Sequence, residues 1–330
     1  MANEKLKVGF YWAASCGGCE IAVLDLNEKI LDVLQIADIV FWPVAIDIKY
    51  KDVQAMPDKY IDICFFNGSI RNEEQERMAK LLRQKSKTLV AFGSCAQEGC
   101  VPGLANLHDR EEIFNKVYLE SMSVSNSKGV LPKTKFEAKE GVLKLPEFYD
   151  TVKTLDQTVD VDYYLPGCPP PVKLIANAVE AIANNQLPPK GSVLAPLKSV
   201  CDECPRKKEN KKISKIYRVY EKTPEPEKCL LEQGIICIGP ATRSGCGAQC
   251  LRVDMPCTGC GGPCPNSSEQ GAAMIAALAS ILEVPDETEH YAEEDVDSLM
   301  DQIKDPVGTF YMYSLPSSML RRKVIRKCKK

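Results

Sequence analysis

Short apolar runs and longer amphipathic stretches alternate through the first 185 residues. The apolar, β-prone runs are residues 8–12, 39–44, 61–67, 88–92 and 161–165, each bounded by small or turn-forming residues. Between them lie stretches of helical period at 20–36, 73–84, 109–121 and 172–185. The first carries Ile21, Leu24, Ile30, Leu31 and Leu34 on one stripe, as a single amphipathic helix does. The second is strongly charged and reads as solvent-facing. Pro43 puts the second strand near an end or edge of its sheet. This alternation predicts a doubly wound, mainly parallel α/β sheet of the flavodoxin-like kind. Residues 123–160 interrupt the pattern with a surface excursion that contains a hairpin.

The pattern changes after the Leu187–Gly191 linker. Residues 201–264 are rich in Gly and Pro and carry no sustained period, so no regular apolar face holds them. A helix at Gly271–Leu282 follows, with Ser267-x-x-Gln270 read as its capping box. A short acidic helix within 285–305, an aromatic run at Phe310–Leu315 and a basic end at 320–330 complete the chain. The expected domains are therefore 1–190, a flavodoxin-like unit, and 191–330, an irregular Cys-rich unit with C-terminal helices.

Composition narrows the chemistry. The chain has 330 residues, 45% of them hydrophobic, with a net charge of −3. That balance gives no support to nucleic-acid binding, and the basic run Arg206–Lys215 reads as a solvated face. No apolar run is long enough for a membrane span, and the N-terminus reads as a strand rather than a signal peptide. A cytoplasmic location is expected.

Sixteen cysteines and two histidines, His108 and His290, are present. Neither histidine adjoins a Cys pair, so any metal is held by thiolates. Iron–sulfur clusters and zinc ribbons both use such donors, and spacing favours the clusters. Cys16 and Cys19 follow the first strand, Cys95 the fourth and Cys168 the fifth. In a parallel sheet those loops share the carboxyl edge, so the four sulfurs converge. Cys64 lies within the third strand and reads as a small buried hydrophobe. Cys100 lies beyond the turn at Cys95 and is set aside as a non-ligand. Nine further cysteines fall between Cys201 and Cys264.

These motifs resemble the small subunits of nickel–iron hydrogenases over nearly the whole chain. Cys16-x-x-Cys19, Gly93-Ser94-Cys95-Ala96 and Gly167-Cys168-Pro169-Pro170 are similar to the family's proximal-cluster motifs. Cys201, Cys204, Cys229 and Cys237 resemble its distal motif, with Cys201 where the best-known members have His. Cys246, Cys257 and Cys260 resemble its medial motif. Cys250 or Cys264 completes that set, Cys250 being favoured. The resemblance implies three [4Fe–4S] clusters, leaving Cys64, Cys100, Cys264 and Cys328 over.

Within that family the chain looks most like the cytosolic F420-non-reducing (methyl viologen-reducing) type of methanogens and related microbes. The resemblance implies a nickel–iron large subunit as partner, since the chain lacks that subunit's nickel-binding Cys pairs. It further implies a small iron–sulfur acceptor subunit and heterodisulfide reductase, in an electron-bifurcating assembly. Glu20, next to Cys19, is a candidate for proton transfer. Two neighbouring readings are a gamma subunit of an F420-reducing hydrogenase and the iron–sulfur subunit of a complex I-like quinone reductase. The latter is similar to the first domain only.

Overall fold

The computed structural model describes residues 5–283, 298 and 300–323. Five strands form one parallel sheet: β1 (Leu6–Trp12), β2 (Ala37–Phe41), β3 (Ile61–Asn67), β5 (Ser86–Phe92) and β9 (Tyr163–Leu165). Their order is β2-β1-β3-β5-β9, parallel throughout. This is the doubly wound, flavodoxin-like arrangement, with β2 at an edge and Pro43 just beyond its end. The central strand β3 is buried almost end to end, because helices cover both faces of a parallel sheet.

Successive strand residues feed two apolar layers. Val8, Phe10, Ile63, Phe65, Val90 and Phe92 pack with helices α1 (Gly18–Leu24) and α7 (Val172–Ala183). Tyr11, Phe41, Cys64, Phe66, Leu89 and Ala91 pack with α3 (Tyr50–Ala55) and α4 (Glu73–Lys85). Cys64 is fully buried there, in the role of a small hydrophobe.

Local features depart from the expected pattern. The single helix over 20–36 is two, α1 and α2 (Lys29–Ile36). Asn27, at φ 51°, breaks it, since a left-handed residue cannot continue a right-handed helix. Helix α4 is capped by Asn72 and Gln75, and its charged sequence hides an inner face of Met78, Ala79 and Leu82. The 109–121 helix splits into α6 (Arg110–Asn115), capped by Asp109, and one π-helical turn, Lys116–Glu120.

In the excursion, β6 (Lys135–Ala138) and β7 (Gly141–Lys144) form the expected hairpin. Strand β8 (Phe148–Lys153) then returns to pair antiparallel with β4 (Ile70–Asn72).

Beyond residue 190 the backbone runs in turns, 3-10 segments and isolated bridges. Among the described residues, short helices interrupt it at α8 (Gln249–Arg252), α9 (Gln270–Ala279) and Pro306–Phe310. A third apolar cluster joins Ile213, Leu230, Ile235, Cys237, Cys257, Met274 and Leu278 to Phe310, Tyr311 and Leu315. The aromatic run near the C-terminus is thus core. The chain then crosses back over the sheet unit, where Asn106 donates to the Arg321 carbonyl at 2.9 Å and Gln157 to that of Pro316 at 2.8 Å.

Ser267 and Gln270 do not form a capping box. The residue before α9 is Glu269, with no side-chain cap, and the Gln270 side chain is turned inward instead. Residues 285–297 and 299 of the acidic stretch lie outside the described residues. So do 324–330 of the basic end, His290 and Cys328. No helix among the described residues is long and apolar enough to cross a membrane.

Candidate metal centres

The carboxyl ends of β1, β5 and β9 meet at one edge, and four cysteines arrive there by different routes. Cys16 lies in the loop after β1. Cys19 lies in the first turn of α1, and Cys95 in that of α5 (Ser94–Glu98). Cys168 follows β9. The β5 and β9 loops are tied together by Gly93 N–H to the Leu165 carbonyl and Ser94 N–H to the Gly167 carbonyl, both at 2.8 Å.

Gly93 has φ 83°, and a Cβ added there would collide with the Cys19 sulfur. Only glycine combines that backbone with that approach. The Cys19 sulfur therefore tucks under the end of β5, with Cys16, Cys168 and Cys100 among its neighbours. Burial first, then those thiols, holds the Cys19 thiol far above its ordinary range. Cys168 is raised as well, chiefly by its hydrogen bond with Cys100 and then by burial.

Cys100, which spacing set aside, is in this group. Its sulfur stands 3.7 Å from that of Cys168.

A second group lines a cavity of about 310 Å³ beside the first. Cys246, Cys250, Cys257 and Cys260 reach it, together with Cys168. The Cys246–Cys250 loop wraps round by taking positive φ at Gly245, Gly247 and Ala248. Cys260 has Cys246 and Cys250 as neighbours, and burial pushes its thiol up to about 11. Cys264 is not among the lining residues. Its sulfur meets the Pro240 carbonyl at 3.3 Å, and the charged groups near it are Arg243 and Asp202.

The third group is Cys201, Cys204, Cys229 and Cys237. Cys201 has the other three as neighbours, and burial pushes its thiol up to about 12. A Cβ on Gly239 would stand 3.5 Å from the sulfurs of both Cys201 and Cys237, so these two face one point. Among the described residues, no three Cys, His, Asp or Glu side chains converge closely enough to hold a single metal ion.

The groups touch in series. The Cys168 backbone N–H faces the Cys260 sulfur, and the Ser94 hydroxyl donates to the Cys260 carbonyl at 2.6 Å. The Cys257 N–H donates to the Cys237 sulfur at 3.4 Å. Other N–H donors reach sulfur at 3.4 Å from Gly18 to Cys16 and from Arg206 to Cys204.

Sequence spacing missed the polar side chains that hold this region. Gln270 donates to the carbonyls of Gly259 and Gly262, at 2.8 and 3.0 Å, on either side of Cys260. The Glu203 carboxylate, between two cysteines of the third group, accepts from Gly245 and Gly247 N–H in the second. Arg206, expected on a solvated face, is buried. It donates to the carbonyls of Leu251, Glu225 and Lys228 and pairs with Asp254. No local pattern marks such residues, because their partners lie beyond one turn of chain, 8 and 11 residues away for Gln270 and 19 to 48 for Arg206.

Glu20 is buried behind Cys19. Its Oε2 accepts from Trp42 Nε1 at 2.5 Å, and Oε1 has no partner. Burial raises its carboxyl, and the Trp42 indole and the Asn67 amide beside it oppose that rise.

Residues 16–182 match a family described as NADH ubiquinone oxidoreductase, 20 Kd subunit. Similarity to single proteins runs further. The iron-sulfur subunit of the F420-non-reducing hydrogenase from Archaeoglobus profundus is 43% identical over 328 residues, 97% of this chain and 99% of that one. The corresponding F420-non-reducing hydrogenase chain from Methanothermobacter thermautotrophicus is 36% identical over 97% of this chain and 98% of its own. The chain belongs to this family of F420-non-reducing hydrogenase subunits.

It is thus an oxidoreductase component, one subunit of a hydrogenase. Among solved structures, a NiFeSe hydrogenase chain of Desulfovibrio vulgaris Hildenborough aligns at a TM-score of 0.49 and 16% identity, over 86% of this chain and 99% of that one. The 20 Kd family match stops before the second and third cysteine groups, whereas the likeness to the F420-non-reducing hydrogenase chains spans them.

Proposed function

We propose that this chain is the electron-transfer subunit of a nickel–iron hydrogenase and holds three [4Fe–4S] clusters. Cys16, Cys19, Cys95 and Cys168 are the proximal ligands. Cys246, Cys250, Cys257 and Cys260 are the medial ones. Cys201, Cys204, Cys229 and Cys237 are the distal ones. Such clusters, when bound, take up and release one electron at a time.

The residues fit that cargo. The donors are thiols: Cys19, Cys95, Cys237 and Cys257 are buried, Cys16, Cys168 and Cys250 are exposed, and the other five lie between. A buried thiolate is costly alone and favourable beside iron. The N–H groups facing Cys16, Cys204, Cys237 and Cys260 stabilise negative sulfur and so tune potential.

The observation that carries the reading is the series of contacts Cys168–Cys260 and Cys257–Cys237, which joins all three groups in one line. A zinc-stabilised subunit has no use for such a series. Cys250 completes the medial set, supported by its place on the cavity wall and by the distance of Cys264 from it. Glu20, with one carboxylate oxygen unpartnered beside Cys19, is our candidate for proton transfer.

In this reading, residues 1–190 carry the proximal cluster and 191–330 the other two. A nickel-containing large subunit splits hydrogen at the proximal end. A small iron–sulfur acceptor subunit and heterodisulfide reductase take electrons at the distal end, in the cytoplasm.

Metal and activity assays test the proposal. The purified chain should carry about twelve irons, four per cubane. It should reduce no dye with hydrogen until its nickel subunit is present. Hydrogen-dependent dye reduction by the nickel-free chain, or zinc in place of iron, overturns the reading.

A further inference from the structure

Cys100 is 1% exposed, and its sulfur touches Cys168 and neighbours Cys95. Its placement comes from outside the loop. The Cys100 N–H donates to the Tyr313 carbonyl at 2.9 Å. Pro316 fills the space where side chains on Gly99 and Gly103 would go. The returning C-terminal segment thus holds Cys100 at φ 51°, a conformation a cysteine keeps only when its surroundings impose it.

The separation of 3.7 Å between the Cys100 and Cys168 sulfurs has a chemical meaning. Two thiolates on one tetrahedral metal, each about 2.3 Å from it, stand about 3.8 Å apart. Each iron of a cubane takes one protein thiolate, so sulfurs this close address the same iron.

We propose that Cys100 is an alternate ligand for the proximal iron that Cys168 binds, and takes that corner when Cys168 leaves it. One Fe–S bond forms as the other breaks. The proton of the incoming Cys100 thiol passes to the departing Cys168 thiolate, and no electron is gained or lost. The inference rests on the proximal-cluster reading above.

The test uses the hydrogenase complex with Cys168→Ala and with Cys100→Ala/Cys168→Ala, read by iron content and by electron paramagnetic resonance of the reduced protein. Cys168→Ala should keep about twelve irons, and the double variant should lose about four. Equal loss in both, or a three-iron signal already in Cys168→Ala, overturns the proposal. A wild-type complex with no iron at this site overturns the cluster reading itself.

Cys168→Ser keeps the argument open to test if the alanine variant does not assemble. Thiolate from Cys100 should displace the serine oxygen, so adding Cys100→Ala should change the reduced proximal signal. An unchanged signal counts against Cys100.

Discussion

The sheet edge and the segment from Ser199 to Cys264 gather thiols by opposite means. At the edge, β1, β5 and β9 deliver Cys16, Cys19, Cys95 and Cys168 because the sheet order leaves no other place for those loops. Of these four, Cys19 also packs into the apolar layer beneath. In the later segment the backbone is pinned by isolated bridges such as Ser199–Arg243 and Thr242–Pro263. Cys237 and Cys257 are themselves part of the apolar cluster. One site is imposed by topology. The others are held by a few buried polar side chains and, on our reading, by their cargo.

Removing iron should separate the two most sharply. Where ligands close the structure, binding energy is folding energy. Anaerobic chelation should lower amide exchange protection across 199–264 by about a hundredfold or more, roughly 2.8 kcal/mol. Amides of β1, β3 and β5 should stay protected. Equal loss in both regions, or none in either, erases the distinction.

A paired glycine substitution probes the same contrast. Gly93→Ala places a methyl against the Cys19 sulfur at φ 83°. It should remove the roughly four proximal irons and cost about 1–3 kcal/mol from backbone strain. Gly247 also has positive φ, at 65°, yet a Cβ there meets nothing within 4 Å. Gly247→Ala should cost about 1 kcal/mol and keep full iron. Iron analysis and thermal unfolding of both variants check this; equal iron loss would deny Gly93 its special role.

Legibility in the sequence follows the same divide. Strand ends are local signals. Residues 61–67 fall on β3 because an apolar run stops at Gly68-Ser69, and the parallel order then brings Cys16, Cys95 and Cys168 to one edge. The break at Asn27 escaped because a left-handed residue leaves the apolar stripe intact on both sides. Cys100 reads as a non-ligand because it lies beyond the turn at Cys95; the neighbour that reveals it, Cys168, lies 68 residues on, and its anchor, Tyr313, farther still. Ser267-x-x-Gln270 reads as a capping box, yet Gln270 serves Gly259 and Gly262 instead. Arg206 sits in a basic run, yet its partners reach from Glu225 to Asp254. Where the fold is held by single side chains crossing many residues, spacing carries no record of it.

The smallest effect is expected at the fourth medial position, where Cys250 and Cys264 differ by what each sulfur faces. Cys250 lies on the cavity wall with Cys246, Cys257 and Cys260. Cys264 is turned to the Pro240 carbonyl, its N–H donates to the Ala241 carbonyl at 3.2 Å, and Thr242 bridges Pro263 beside it. Bringing the Cys264 sulfur into the cavity would break those contacts, and Pro263 restricts the turn it would need.

Cys250→Ser should therefore lose about one iron per chain, leaving a three-iron cluster. Cys264→Ser should lose none, because a hydroxyl can make the same contact with Pro240. Electron paramagnetic resonance of the oxidised proteins separates the cases, since an oxidised three-iron cluster is paramagnetic and an oxidised low-potential cubane is silent. A new three-iron signal in Cys264→Ser, with Cys250→Ser unchanged, would reverse the assignment. The later segment would then have to close around its iron by a rearrangement that the sheet edge never needs.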